Sequence, residues 1–247
     1  MRAEPAAQAV LLDVQAHDSR LDRLAYRQRT LPETARLTEL GAQRSELASR
    51  LAVQRTEVDD MADEIRKAET DITQVRSRRE RDQRRLDTGA VTSAKDLEGL
   101  QREIVSLDRR IGVLEDAELE VMQRLEDAQR AQQGTEAQLT ALDADLTVTT
   151  DAQDAELRAI ATEAATERDE RDRAAATLPG DLLMLYEKVR GQHDGVGVAP
   201  LWQRRCEGCR LELNAADVRE IAATPANEVL RCPECNRLLV RTAESGL

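Results

Sequence analysis

Apolar side chains recur at alternating spacings of three and four along one stretch of the chain: Leu97, Leu100, Ile104, Leu107, Ile111, Leu114, then Val121, Leu125, Ala128, and finally Leu139, Leu142 and Leu146. Glu118, Gln132 and Thr135 stand at the intervening seam positions. A repeat held over about seven heptads fits a helix that packs along one stripe against another helix, and little else. A second seam precedes it, through Leu47, Leu51, Gln54, Val58, Met61, Ile65, Ala68, Ile72, Val75, Arg79, Asp82 and Leu86. Between the seams Gly89 is a helix stop, and Thr92 or Ser93 is an N-cap candidate. A short break between two such seams predicts an antiparallel hairpin with its tip at about residues 87–96.

Pro5 and Pro179 are equidistant from position 92, so the arms match in length and each is expected to reach roughly 125 Å at 1.5 Å per residue. An early seam, Val10, Val14, His17, Leu21, Leu24, Gln28 and Leu31, loses phase at Pro32, which cannot sit inside a helix without breaking a hydrogen bond. The opposite arm carries Thr147-Val148-Thr149-Thr150 at the same height, a β-branched run of low helix propensity. A kink shared by both arms is expected there.

Composition separates the two parts of the chain. The 247 residues contain no Phe, one Trp and two Tyr, too few aromatics for a compact enzyme core of ordinary size. Residues 1–178 read as the mainly helical hairpin, and residues 179–247 as a small β-rich domain entered through a short linking helix. This last part holds all four Cys, the single Trp, and most of the Pro and Gly. The net charge of −12 disfavours general nucleic-acid binding along the surface. With no membrane span or leader apparent, a cytoplasmic protein is expected.

Cys206-Glu207-Gly208-Cys209 and Cys232-Pro233-Glu234-Cys235 form two C-x2-C pairs separated by 22 residues. Each pair sets two thiolates on one tight turn, and four thiolates close a tetrahedral shell around one structural Zn²⁺. An iron centre uses the same ligands. Two disulfides suit a reducing compartment poorly, and a redox dithiol lacks its βαβ context. The long spacer accommodates a short helix, Ala215 to Ala223, and Ala199–Arg205, Glu228–Arg231 and Arg237–Thr242 read as strands of a small antiparallel ribbon. Gly208 and Asn236 are residues that accept the left-handed backbone of a metal knuckle. A domain this small needs its metal to fold.

The tip sequence Ser93-Ala94-Lys95-Asp96-Leu97-Glu98-Gly99-Leu100-Gln101-Arg102-Glu103-Ile104, Tyr186 with the loop Gly195-Val196-Gly197-Val198-Ala199, and the four cysteines resemble a bacterial family of coiled-coil hairpins with a C-terminal four-cysteine zinc ribbon, formerly classed as a domain of unknown function. The chain departs from that pattern at Asn214, where Pro often follows Leu, and at Asn236, where Gly usually follows the last Cys. The resemblance implies that Cys206, Cys209, Cys232 and Cys235 ligate zinc. It further implies an adaptor, because studied members bind a sigma factor, flagellar or secretion components and in some cases RNA.

Three surfaces are candidates for partners. Arg76, Arg78, Arg79, Arg81, Arg84 and Arg85 make the tip basic against Glu80 and Asp82, and arginine pairs well with carboxylate or phosphate. The bland alternative is a solvated face compensated by Asp87, Asp96 and Glu103. In the ribbon, Trp202 with Arg204, Arg205, Arg210, Arg231, Arg237 and Arg241 can line a binding face, or Trp202 can simply pack the ribbon on the hairpin base. Polar residues in the seam, Gln54, Arg79, Asp82, Glu118 and Gln132, either fix register or open a groove. Only His17 and His193 are present, with no phosphate loop and no nucleophile elbow, so catalysis and a small-molecule substrate are not expected. The expectation is a non-enzymatic zinc-binding adaptor for protein partners, with RNA or DNA binding as the alternative.

Overall fold

The computed structural model describes residues 1–247 in full. Helix α1 spans Pro5–Arg29, α2 Pro32–Asp87, α3 Ala94–Ala175 and α4 Gly180–Gln192. The ribbon follows with strands β1 (Val198–Trp202) and β2 (Arg205–Cys206), helix α5 (Ala215–Ala223), and strands β3 (Leu230–Arg231) and β4 (Leu238–Arg241). The chain packs as two compact units: residues 1–34 with 151–247, and residues 35–150. The compositional change near residue 178 thus falls inside the first unit.

In the 35–150 unit, every residue of the two heptad seams is buried or half-buried, with Leu51, Ile72, Leu100, Ile104, Leu107, Thr135 and Leu142 fully so. Ion pairs flank the seam and fix an antiparallel register. Arg44 Nε meets Asp143 at 2.7 Å, Arg55 meets Glu136 at 3.0 Å and Arg124 meets Glu64 at 3.1 Å. Each is exposed and worth little alone, but together they penalise any slip. The polar seam residue Arg79 donates to Asp108 at 3.0 Å, which favours the register role. At the tip α2 stops at Asp87, Gly89 adopts φ +65°, and α3 begins after Ser93.

The first unit contains the expected interruption. The helix is interrupted at Thr30-Leu31, and α2 restarts with Pro32 at its first position, where the missing N–H costs nothing. Leu31 is buried with Leu24, Ile160 and Ala164, whereas Gln28, placed on the early seam by spacing, is exposed. The other arm carries no break: α3 runs on through Thr147–Thr150, where the three threonine hydroxyls each donate to the carbonyl four residues earlier.

The ribbon sheet has the order β2-β1-β4-β3. Its outer pairs are antiparallel, but the central pair, β1 with β4, is parallel, which corrects the all-antiparallel expectation. Two hairpins supply the outer pairs; the crossover from β1 to β4 is long enough to hold α5, as parallel neighbours require. Strand alternation then divides the sheet's residues between two cores. Val198, Leu238 and Val240 pack with Leu11, Val14, Leu182, Tyr186 and Val189 from the helices and with Leu178 from the turn before α4. Ala199, Leu201 and Leu239 pack on the other face with Cys206, Cys232, Leu213, Ile221 and Leu230.

A buried polar network ties the ribbon's first strand to α1. Gln15 accepts from Gly197 N at 2.7 Å and donates to Gly195 O at 2.9 Å. Tyr186 donates to Asp18 at 2.6 Å, and Asp18 also accepts from Arg171 at 3.2 Å. Gly197 is obligatory in this packing, because a Cβ there would lie 2.9 Å from both the ring and the carbonyl of Tyr186. The N-terminus joins the ribbon too, with Ala3 N donating to Asn227 O and Val229 N to Met1 O.

Burial, and then the Asp18 carboxylate it donates to, push the Tyr186 phenol far above its usual range. A raised folded-state pKa means that the native protein holds this proton longer than the unfolded chain. The stability it contributes is therefore complete below about pH 10 and falls as pH rises beyond it. In a Tyr26→Phe background, phenolate absorbance should develop only together with loss of the helical signal. Tyr186→Phe should flatten the alkaline dependence of the melting temperature.

Candidate metal centre and interaction surfaces

The two cysteine pairs sit on knuckles with the same backbone plan. In the first, Arg210 N donates to Cys206 O at 2.7 Å and Cys206 N to Leu211 O at 3.0 Å. In the second, Asn236 N donates to Cys232 O at 2.8 Å and Cys232 N to Arg237 O at 2.9 Å. Each turn closes with a left-handed residue immediately after its second cysteine: Arg210 at φ +64° and Asn236 at +61°. Asn236 thus takes the conformation expected of it, but Gly208 does not. Its requirement is steric, since a Cβ there would come within 2.9 Å of Arg237 Cδ and 3.0 Å of Ala199 Cβ. Asn214, the other departure from the family pattern, caps α5 by accepting from Ala216 N and Asp217 N, each at 2.9 Å.

The four sulfurs all lie within 4.8 Å of one another. Cys206 Sγ is 3.9 Å from Cys235 Sγ, and Cys209 Sγ is 3.9 Å from Cys232 Sγ. These separations are about twice a disulfide bond length. They match the edge of a tetrahedron with a metal–sulfur distance of about 2.3 Å, which is about 3.8 Å. Burial pushes the Cys206 and Cys232 thiols up, so they favour their protons unless a cation takes the place of those protons. The donor set therefore fits one structural Zn²⁺ held by Cys206, Cys209, Cys232 and Cys235, with every position taken by protein.

The remaining sequence-derived site residues divide sharply. At the tip, Arg78 meets Glu103 at 2.6 Å, Arg79 meets Asp108, Arg85 meets Asp82 at 3.5 Å, and Arg76 pairs with Glu115. Arg81 and Arg84 are exposed and form no ion pair. Arg78, Arg81 and Arg85 share an open groove of about 950 Å³ with Lys95 and Arg102, facing Asp82, Asp96 and Glu103. In the ribbon, Arg237 donates to Val196 O and His193 O, Arg241 to Thr224 O and Pro225 O, and Arg204 to Gly246 O. Those arginines hold loops and are not a free basic face. Trp202 is 40% exposed and lies outside both cores, with the Arg205 guanidinium 5.7 Å from its ring centre. It does not pack the ribbon on the helices.

Cys232→Ala should reduce bound zinc from one per chain to none by elemental analysis. Fluorescence anisotropy of Trp202 should fall as the β1–β2 hairpin loosens, with most of the helical circular dichroism retained. Full zinc content in that variant would contradict the site.

Residues 14–194 match the model of the CT398-like coiled coil hairpin domain, and residues 205–239 match that of the C4-type zinc ribbon domain. The uncharacterized protein Rv2229c of Mycobacterium tuberculosis is 37% identical over 98% of both chains. A solved structure from Mycobacterium smegmatis is 34% identical, covering 98% of this chain and all of the other, with a TM-score of 0.84. The structure of CT398 from Chlamydia trachomatis shares the fold at 17% identity and a TM-score of 0.67, covering 96% of this chain and 98% of that one. With its helical hairpin, its four clustered cysteines and these matches across nearly its whole length, the chain belongs to the CT398-like coiled-coil hairpin family with a C4-type zinc ribbon.

Proposed function

We propose that this protein is a cytoplasmic, non-enzymatic adaptor that holds protein partners through its hairpin and its zinc ribbon. One observation carries the reading: the hairpin itself satisfies four of the six tip arginines and leaves Arg81 and Arg84 free, with Arg81 lining a groove of mixed charge. Such a surface suits recognition of a few carboxylates on an acidic protein segment, where paired hydrogen bonds give specificity. It suits a phosphate backbone poorly, because tracking one requires a continuous run of free cations, and the tip has no aromatic residue to stack on bases. Exposed Trp202 under Arg205 offers a second anchor of the type enriched at protein interfaces. No helix is long and apolar enough to cross a membrane, which agrees with a role in an aqueous compartment.

The test is capture from native lysate with metal-loaded protein, with and without nuclease, beside Arg81→Glu/Arg84→Glu and Trp202→Ala variants. A defined set of proteins should survive nuclease. The double arginine reversal should reduce tip-dependent members of that set at least about tenfold. Recovery of nuclease-sensitive material alone, lost steeply with rising salt, would replace the adaptor reading with nucleic-acid binding.

A further inference from the structure

One face of α3 in the 35–150 unit has no partner within the chain. Residues seven apart on a helix lie within about 20° of each other around its axis, so Val105, Gly112 and Leu119 form one stripe. That stripe sits roughly a third of a turn from the centre of the seam through Ile104, Leu107, Ile111 and Leu114. Val105 is 50% and Leu119 57% exposed, and a Cβ added at Gly112 would meet nothing within 4 Å.

The charges beside the stripe are ordered. On the flank nearer α2, Asp108 and Glu115 are already neutralised by Arg79 and Arg76. On the other flank, Arg102 and Arg109 precede Gly112 while Asp116 and Glu120 follow it, all four exposed. None of them forms an ion pair in the chain; Arg102 reaches only the Glu98 carbonyl of its own helix, at 3.3 Å.

We propose that this face binds the same face of a second copy, with the two α3 helices antiparallel about a two-fold axis beside Gly112. A two-fold of this kind keeps each flank on its own side and reverses chain direction. Val105 of each copy then meets Leu119 of the other, both being seven residues from the axis. Arg109 comes opposite Asp116, and Arg102 opposite Glu120. Parallel pairing would swap the flanks and set these four charges against Asp108 and Glu115 of the other copy, which are already paired with Arg79 and Arg76, so only the antiparallel arrangement gives the free charges partners. At the crossing, the absence of a side chain on Gly112 lets the backbones approach closely. The apolar contribution is small, so the dimer is weak and sensitive to salt.

Sedimentation of the full zinc-loaded chain tests this. At about 0.1 M ionic strength the weight-average mass should rise with concentration toward twice the chain mass, and at about 1 M, where the Debye length is about 3 Å, it should fall back. Arg102→Glu/Arg109→Glu and Asp116→Arg/Glu120→Arg should each weaken self-association at least about tenfold with unchanged helical content. An equimolar mixture of the two variants should associate again, because every like-charged contact becomes complementary in the mixed dimer. Gly112→Cys should cross-link to a dimer under mild oxidation, whereas Val105→Cys alone should not. A wild-type chain that stays monomeric at every concentration would overturn the proposal. So would variants that self-associate as the wild type does, or a mixture that fails to pair.

Discussion

The ribbon sheet is only four strands wide, its strands two to five residues long, and its central β1–β4 pair is buried on both faces. That constraint governs the first unit. One face rests on helices α1 and α4 through Val198, Leu238 and Val240; the other rests on the cysteine knuckles and α5 through Ala199, Leu201 and Leu239. Strands this short bury too little to fold alone. The helices can cover one face without help, but the other is covered by two turns that only a shared cation holds together. Four thiolates at one point thus act on the whole sheet as well as on the residues beside them.

Much of this was legible in the sequence because it is local or periodic. The seam positions repeat every seven residues, and all of those in the 35–150 unit are shielded. The C-x2-C pairs carry their ligand geometry within four residues each, and α5 has the limits that its composition suggests. What could not be read depends on distant segments meeting. The parallel β1–β4 pairing is decided by how the crossover returns, which no local pattern encodes. Gln15 and Asp18 look like ordinary polar helix positions, yet both are buried because the loop at Gly195–Gly197 and Tyr186 close over them. Arg210 gave no signal of a left-handed turn; only its equivalence to Asn236, one residue past the second cysteine of each pair, identifies it.

Arginine illustrates how composition misleads about function. With 33 Arg and 3 Lys, nearly every cationic position on this chain is a guanidinium, whether structural or free. In the ribbon, Arg237 and Arg241 are spent on loop carbonyls, and at the tip three of the six arginines pair with the facing helix. A planar donor with five N–H groups suits both tasks. The informative residues are those left over after folding: Arg81 and Arg84 at the tip, Trp202 on the ribbon, and the ordered charges flanking Gly112.

Dependence of the sheet on the cysteine cluster is best tested by hydrogen exchange on the zinc-loaded protein and on the same protein after complete chelation. Amides of β1, β4 and α5 are expected to lose protection when the metal is removed, while the helical segments within residues 35–150 keep theirs. Unchanged protection across β1 and β4 in metal-free protein would show that the helices alone hold the sheet, and would contradict the role assigned here to the four thiolates.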